Sequence, residues 1–258
     1  MGLRSDLKDA LVARVQKVDP ARTLAARLAP KLEADRLIGL YAFHYEIARV
    51  SESVSEPMLG AIRLQWWREA IDEIRTGKPI RAHDAAQALE DAMAPIKDSF
   101  PLQLLDDLVD ARERDLEDDP FETILSLNDY AEATAGALTL AAAHVLAKGP
   151  LGDSVRKGLR DAGRAWGLAG LARETALAAQ YDARPRLPIR VGADEIAVEA
   201  RNAYVAAKRQ LRGAPAELLP AFAYVTLVPG LTQRFSLEAA SPLTMRWRIL
   251  KAAILGGI

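Results

Sequence analysis

YAFHYEIARVSESVSE, residues 41–56, and RLQWWREAIDEI, residues 63–74, are the two stretches that decide the fold. In both, apolar residues recur every three or four positions, which is the spacing of one face of an α-helix. Charged and polar residues fill many of the positions between them. We therefore predict helices over 33–51 and 56–76, with a short break between the two.

The same periodicity extends through almost the whole chain. Runs of alternating β-branched residues, which would indicate strands, are absent from the sequence. Further helices are predicted at roughly 5–18, 21–29, 84–97, 101–116, 128–148, 152–180, 194–212, 215–228 and 242–254. The two longest, 128–148 and 152–180, are apolar nearly all round, so we expect them to lie at the centre of the molecule.

Turn-forming residues separate these helices. The breaks include TGKP at 76–79, DDP at 118–120 and KGPLGD at 148–153. ARPRLP at 183–188 should be extended, because two prolines close together cannot sit inside a helix. No internal repeat or low-complexity linker divides the sequence. We predict an all-α fold in a single domain that covers residues 1–258.

The composition limits the class of protein. The chain has 258 residues, of which 50% are hydrophobic, so it can bury a substantial core. The net charge of -1 argues against a nucleic-acid-binding protein, since such proteins are usually basic. The lack of cysteine excludes disulfides, thiolate metal sites and a cysteine nucleophile. No apolar run approaches the ~20 residues that span a bilayer, and the charged N-terminus lacks a secretory apolar region. We expect a cytoplasmic protein.

Two features invite a functional interpretation but have simpler explanations. Gly163, Gly167 and Gly170 lie inside a predicted helix and lack the strand and turn of a dinucleotide site. We interpret them as residues of close helix packing. The three histidines of the chain share no metal-ligand spacing, and we interpret them as solvated or as satisfied within the core.

The segment DDLVD at 106–110 places carboxylates one helical turn apart, as in sites that hold Mg²⁺ against a diphosphate. It lies, however, in a run of alternating charge. We favour a solvated helix face with ion pairs such as Asp110–Arg114 over a metal site.

Several segments together resemble the squalene/phytoene synthase family, the head-to-head prenyl synthases. They are DRLIGLYAF at 35–43, RLQWWREAI at 63–71, DLEDDPFETILSLNDYAEATAG at 115–136, GRAWGLAGLARE at 163–174 and RPRLP at 184–188. They occur in the family's order and at its spacing. The resemblance implies the all-α isoprenoid synthase bundle, with a central cavity between long helices.

The family's chemistry requires two aspartate pairs on facing helices. Each pair is spaced i, i+4 and holds Mg²⁺ ions that grip and ionise the substrate diphosphates. The resemblance places the first pair at Ala48 and Glu52, and an additional family aspartate at Arg49. The family's arginine before this pair corresponds to Tyr45. This motif thus keeps one carboxylate and gains a cation where a metal ion should bind.

The second pair falls at Glu174 and Ala178. Gly167 and Gly170 stand where the catalytic pattern has glutamine and asparagine, and Arg173 is retained. Each pair therefore keeps at most one carboxylate. The resemblance implies a chain with no catalytic residues, no resident metal and no cofactor, with Mg²⁺ required only if the chain is an active prenyltransferase.

A second resemblance indicates a branch of this family that lacks the aspartates. The run EIARVSESVSEPMLGAIRLQWWREAIDEI at 46–74 is similar to the branch that assembles mitochondrial complex I. It implies a catalytically silent protein that assists assembly of the respiratory NADH:quinone oxidoreductase, with complex I subunits as partners. Two alternatives remain open. One is an active transferase that condenses prenyl diphosphates at a degenerate Mg²⁺ site, and the other is a non-catalytic protein that binds a lipid or isoprenoid.

Tyr41, Arg63, Trp66 and Trp67 are the candidate contacts to a ligand or partner. The adjacent tryptophans must point to different parts of their helix. In the structural interpretation, one tryptophan is core and the other lies at a helix-packing edge. In the functional interpretation, one of them lines the former prenyl cavity.

Arg63, Arg68 and Arg173 could bind an anionic head group or a partner carboxylate. Arginines of this kind more often pair with nearby acids. The acids close to them in the sequence are Glu69, Asp72 and Glu174.

The C-terminal stretch PLTMRWRILKAAILGGI mixes apolar residues with Arg246, Arg248 and Lys251. A basic amphipathic helix over 242–254 could lie on a membrane surface, which would place the protein at the periphery of the inner membrane. It could equally be the last helix of the bundle, and both interpretations remain open.

Overall fold

The computed structural model describes residues 5–181, 187–234 and 241–258. Helices occupy most of these ranges, as the spacing of the apolar residues predicts. The α-helices are α1 (Ser5–Val18), α2 (Pro20–Ala26), α3 (Lys31–Ala48), α4 (Pro57–Thr76), α5 (Asp84–Met93), α6 (Gln103–Asp110), α7 (Ile124–Ala131), α8 (Ala137–Leu146), α9 (Asp153–Tyr181), α10 (Ala193–Gln210), α11 (Val228–Arg234) and α12 (Pro242–Leu255).

Two predicted helices differ most from the observed ones. The helix predicted at 101–116 stops at Asp110, and a 3-10 turn over Glu113–Leu116 follows. In place of the helix predicted at 215–228, 3-10 turns cover Ala216–Ala221 and Ala223–Leu227. Pro220 lies inside the first of these turns and lacks the N–H that a regular helix requires.

The helix predicted at 128–148 begins earlier, at Ile124, because Thr123 caps it by accepting a hydrogen bond from the N–H of Ser126. A π turn over Glu132–Gly136 joins α7 to α8. Such turns widen a helix locally and often occur at functional sites. Here the π turn packs against α9.

The centre of the molecule is formed by α8 and the middle of α9. Every residue of α8 except His144 is buried. In α9, buried residues extend from Gly158 to Ala172, whereas residues 173–178 are half-buried. The predicted central position is therefore confirmed for α8 and for the middle of α9, but not for the first turn or the last turns of α9. Buried hydrophobic side chains from α1 to α12 join the same core cluster.

The glycines of α9 differ in their surroundings. A Cβ on Gly163 would collide with the carbonyl of Ala135 and lie 2.6 Å from the Cα of Gly136. A Cβ on Gly167 would lie 3.0 Å from that of Ala135. Close packing is thus confirmed at these two positions. It is wrong for Gly170, which is exposed and has no neighbouring atom within 4 Å of such a Cβ.

An isolated parallel bridge ties the segment before α7 to the segment before α10. The N–H of Phe121 donates to the carbonyl oxygen of Pro188 at 2.8 Å, and the N–H of Arg190 donates to that of Phe121 at 3.0 Å. The preceding part of the predicted extended segment, 183–186, lies outside the described residues. Within the described parts of the chain, no helix has both the length and the apolar character needed to cross a membrane.

Candidate functional site

The first candidate motif lies where α3 ends. The helix was predicted to continue to residue 51, but it ends at Ala48, and Arg49 is its C-cap. A 3-10 turn over Ser51–Ser53 follows. Because the chain leaves the regular α-helix after Ala48, the side chains of Ala48 and Glu52 are not held one turn apart on a common helix face.

The next helix begins with a proline. Pro57 is at the first position of α4, and Glu56 before it is extended, with φ -132° and ψ 136°. Glu56 makes no side-chain capping hydrogen bond, although its carboxylate lies at the end of the helix where negative charge is favoured. The break between α3 and α4 therefore depends largely on local residues, since Pro57 favours an extended Glu56 before it.

Arg49 is held at the end of α3 by its own neighbours. Its guanidinium lies 3.8 Å from the Glu46 carboxylate, and its carbon lies 5.5 Å from the centre of the Tyr45 ring. Glu46 also pairs with Arg14, at 3.2 Å. The Arg49 side chain is 44% exposed, so these contacts leave it accessible. A cation thus stands at the position where the resemblance puts a metal-binding aspartate.

Trp66 and Trp67 belong to an aromatic cluster between α3, α4 and the start of α5. Trp67 is buried, and its ring centre lies 5.3 Å from that of Phe43. Trp66 is half-buried, with its ring centre 5.0 Å from that of Trp67. The His83 ring centre lies 5.4 Å from that of Trp66 and 5.3 Å from that of Trp67. These edge-to-face contacts are favourable. One tryptophan lies in the core and the other at a packing edge, as the structural interpretation predicts.

Arg81 covers the outer side of this cluster. Its guanidinium carbon lies 4.7 Å from the centre of the Trp66 ring, which is a cation–π contact. Its Nε donates to the two carboxylate oxygens of Glu73 at 3.0 and 3.1 Å. Hydrogen bonds from Arg81 lower the pKa of the Glu73 carboxyl, against an opposing effect of burial. Glu73 therefore holds Arg81 against the Trp66 ring.

The end of α3, the break after it, α4 and His83 line an open cavity of about 380 Å³, which we call the Arg–Trp groove. It is lined by Glu46, Arg49, Val50, Ser53, Ile62, Arg63, Trp66, Trp67 and His83. Arg63 donates to the carbonyl oxygen of Ser53 at 3.1 Å and also to the Ser53 hydroxyl, which anchors it across the break between the helices. Ile62 of the lining is exposed, as are Met58 and Leu59, about one turn before it on α4. Apolar and aromatic surface next to two guanidinium groups suits a segment that carries apolar side chains and a carboxylate.

Glu52 and Arg49 line different cavities. Glu52 belongs to a second cavity, of about 620 Å³, that contains five acidic residues. They are Glu52, Glu56, Asp115, Glu117 and Asp118. Among the described residues, no three or more His, Asp or Glu side chains are grouped so that they could hold a metal ion. The residues present at the first motif therefore do not fit the Mg²⁺ cluster that the family resemblance implies, because Glu52 is the single carboxylate there, Ala48 offers no ligand and Arg49 carries a positive charge.

The residues of the second motif lie apart from the Arg–Trp groove. Arg173, Glu174 and Ala178 are half-buried in the last turns of α9. Burial lowers the pKa of Arg173, and the adjacent Glu174 carboxylate opposes that shift. None of these residues, nor Gly167 or Gly170 before them, lines the groove. The groove therefore brings together only part of the predicted site: Arg49, Arg63, Trp66 and Trp67.

Tyr41 lies in the core, away from the groove. It is 3% exposed, and its hydroxyl has no hydrogen-bond partner in the described structure. Burial raises the pKa of its phenol well above the usual value, with Tyr224 adding to the shift and Arg22 opposing it. Tyr41 is therefore inaccessible to an external partner in this conformation.

A buried arginine lies beside Tyr41, which the sequence patterns do not reveal. Arg22 is 5% exposed, pairs with Asp19 at 2.7 Å, and has its guanidinium carbon 4.9 Å from the centre of the Tyr224 ring. Burial by itself would lower the pKa of Arg22, but Tyr224 and Asp19 outweigh it and the pKa is raised. Asp19 followed by Pro20 does indicate a helix start, but nothing in that signal predicts that the arginine turns inward.

Arg68 pairs with acidic residues at and just after the end of α6 instead of along its own helix. It donates to Asp110 at 2.8 Å and to Glu113 at 2.6 Å. The expected pairing with Glu69 or Asp72 is therefore wrong for Arg68. Partners 42 and 45 residues away can be identified only when the two helices are seen side by side.

Two of the three carboxylates of DDLVD are engaged by arginines of α4. Asp106 pairs with Arg75, and Asp110 pairs with Arg68. The predicted Asp110–Arg114 pair is wrong, because α6 ends at Asp110 and Arg114 pairs instead with Glu117, at 3.1 Å. Burial raises the pKa of the Asp106 carboxyl, although Arg75 counteracts that effect.

A second buried network joins α3 to α7. Arg112 donates to Asp115 at 3.1 Å and to the Tyr130 hydroxyl at 2.9 Å. Another of its nitrogens lies 2.9 Å from Nε2 of His44. Because a guanidinium only donates, His44 accepts here and carries its proton on Nδ1. His44 is thus satisfied in the interior, as we proposed for a lone histidine.

The fold defines the class of protein as an all-α bundle of the isoprenoid synthase type. The crystal structure of a dehydrosqualene synthase in complex with ligand superposes with a TM-score of 0.73 at 16% identity, covering 97% of this chain and 96% of that one. The squalene synthase HpnC from Alicyclobacillus acidocaldarius superposes with a TM-score of 0.65 at 13% identity, covering 98% and 97%. At such identities the likeness concerns the fold alone. Residues 15–189 match the squalene/phytoene synthase family model, and the chain belongs to that family.

Curated relatives carry the name of an assembly factor. The human NADH dehydrogenase (ubiquinone) complex I, assembly factor 6, is 32% identical over 124 residues, which are 48% of this chain and 36% of that protein. The homologue of that factor in Drosophila melanogaster is 30% identical over 181 residues, or 69% of this chain and 53% of that protein. The chain thus spans about a third to a half of the length of these relatives.

Proposed function

We propose that this chain is a non-catalytic member of the squalene/phytoene synthase family that acts in the assembly of respiratory complex I. The similarity to proteins named as complex I assembly factors supports the role. The name of a relative does not by itself transfer a function, since one fold hosts many activities. The residues of the site supply the further support.

The observation that carries the proposal is the arrangement around Arg49. The family's chemistry needs carboxylates that converge on Mg²⁺ ions to stabilise the departing diphosphate. In this chain Arg49 and Glu52 line separate cavities, and α3 ends at Ala48. A guanidinium beside the metal position would repel the cations on which that chemistry depends.

The Arg–Trp groove is the surface that we assign to partner recognition. Arg49 and Arg63 supply two exposed cations that can bind a carboxylate. Ile62 and Trp66 supply apolar surface of the kind that is enriched at the centre of protein interfaces. The partner is accordingly a segment of a complex I subunit. It carries an apolar side chain next to an acidic one.

The test uses cells that encode the chain and make complex I. Deletion of the gene should lower the amount of assembled complex and its NADH:quinone oxidoreductase activity, and the natural chain should restore both. The variant Ile62→Ser with Arg63→Glu should fail to restore them while remaining folded, because both side chains are exposed.

The matched control is Val205→Ser with Lys208→Glu, an equivalent exposed pair on α10, which should restore assembly fully. Normal complex I in the deletion strain would contradict the assembly role. Full rescue by the groove variant would leave the role standing but would refute the groove as the recognition surface.

A further inference from the structure

The helix α12 has one face packed on the bundle. Ile249 and Ala252 are 1% and 3% exposed, and Met245 and Ala253 pack against the core cluster. Through this face α12 contacts α2 and the 3-10 turn over Ala223–Leu227. The bundle interpretation of this segment is therefore correct for one side of the helix.

The opposite face of α12 is also apolar, and it is exposed. Leu243, Trp247, Leu250 and Ile254 are exposed by 76%, 62%, 49% and 71%. They follow one another at intervals of four, three and four residues, so they form one stripe along the helix. Because each residue advances by about 100° around the axis, this stripe points away from the buried face. Four large apolar side chains in one exposed line require an explanation that scattered surface hydrophobics do not.

Basic residues lie on both sides of the stripe. Arg246 and Lys251 are exposed, and the helical spacing places them about 70° to either side of its centre. Arg248 instead turns inward, toward the carbonyl oxygen of Thr226 at 3.5 Å. The sequence of α12, PLTMRWRILKAAIL, contains no acidic residue. An apolar stripe between cations is the arrangement of a helix that lies in the interface of a membrane.

We propose that the exposed stripe of α12 docks this protein onto a membrane surface that contains anionic lipid. The apolar side chains would enter the region between head groups and acyl chains, while Arg246 and Lys251 bind phosphate groups. A second copy of the chain is a poorer occupant, because a symmetric contact through this stripe would bring like charges together. The proposal does not depend on the role in complex I assembly.

The first measurement is co-sedimentation of the full chain with vesicles. One set contains phosphatidylcholine alone, and the other contains equal parts of phosphatidylcholine and phosphatidylglycerol. We expect binding to the anionic vesicles that weakens as salt is added, and much weaker binding to the neutral ones. The variant Leu243→Ser with Trp247→Ser and Ile254→Ser should bind about tenfold less.

The matched control is Leu125→Ser with Val198→Ser and Val205→Ser, which removes three exposed apolar side chains from other helices. It should bind as the natural chain does. Reversal of the flanking charges, Arg246→Glu with Lys251→Glu, should abolish the preference for anionic vesicles. Circular dichroism of each variant verifies that it is folded.

The lack of cysteine allows a second, independent measurement. An environment-sensitive fluorophore on Leu250→Cys should shift to shorter wavelength on anionic vesicles, whereas the same label on Val205→Cys should not. Absence of vesicle binding, or equal loss in the stripe and control variants, would overturn the proposal. Self-association that disappears in the stripe variant without any vesicle binding would overturn it in favour of a second copy of the chain.

Discussion

At the scale of single residues, Arg49 is the side chain on which the proposed loss of catalysis depends most. A carboxylate there would attract a metal ion, whereas a guanidinium repels one and favours anionic groups. Glu46 and Tyr45 hold the Arg49 side chain without burying it. A residue that is accessible, charged and fixed in place suits the recognition of another molecule.

The buried pair Asp19–Arg22 gives a prediction for stability. Asp19→Ala should destabilise the fold by about 3 kcal/mol, because it leaves a buried guanidinium unpaired and removes the cap of α2. The control is Asp153→Ala, which breaks an arginine pair of the same i, i+3 spacing whose aspartate side chain is 92% exposed. It should cost less than about 1 kcal/mol. Urea unfolding of both variants provides the comparison, and equal midpoints would refute the structural role of Arg22.

At the scale of secondary-structure elements, α9 contains glycines in two different environments. Near its middle, the absence of a side chain at Gly163 lets the helix approach the π turn after α7. Two turns later, Gly170 faces open space and makes no such contact. The positions look alike in the sequence, and only the neighbouring helix distinguishes them.

This difference predicts opposite effects for one substitution at the two positions. Gly163→Ala should destabilise the fold by roughly 2 kcal/mol, because the new Cβ meets backbone atoms of Ala135 and Gly136 that cannot move freely. Gly170→Ala should stabilise the fold by up to about 1 kcal/mol, since alanine favours an exposed helical position over glycine. Thermal unfolding followed by circular dichroism measures both. A stabilising effect at Gly163 would contradict the close approach of α9 to the π turn.

At the scale of the whole molecule, the family fold is present while the first motif keeps Glu52 as its single carboxylate. Purified chain incubated with farnesyl or geranylgeranyl diphosphate and Mg²⁺ should release no pyrophosphate above background. A catalytically active dehydrosqualene synthase assayed in parallel is the control. Turnover by the natural chain would contradict the proposed loss of catalysis and would favour a reduced metal site that includes Glu52 and Glu174.

Restoring aspartates tests the same idea from the other direction. Ala48→Asp, Arg49→Asp, Glu52→Asp, Glu174→Asp and Ala178→Asp together should improve Mg²⁺-dependent binding of diphosphate, measured by calorimetry. Most of the gain should come from Glu174→Asp with Ala178→Asp, because these positions are one turn apart on the regular helix α9. The pair at positions 48 and 52 should contribute less, because α3 ends between them.

The sequence by itself determined the helical class of this protein, most helix positions and the family. Those properties depend on apolar spacing and on motifs whose members are close together in the chain, as in Trp66 and Trp67. Only the tertiary structure decided that Arg49 and Glu52 line different cavities, that Arg22 is buried, and which apolar face of α12 packs on the bundle. The physical reason is that burial and ion pairing depend on which helices lie side by side, and local periodicity carries no information about that arrangement.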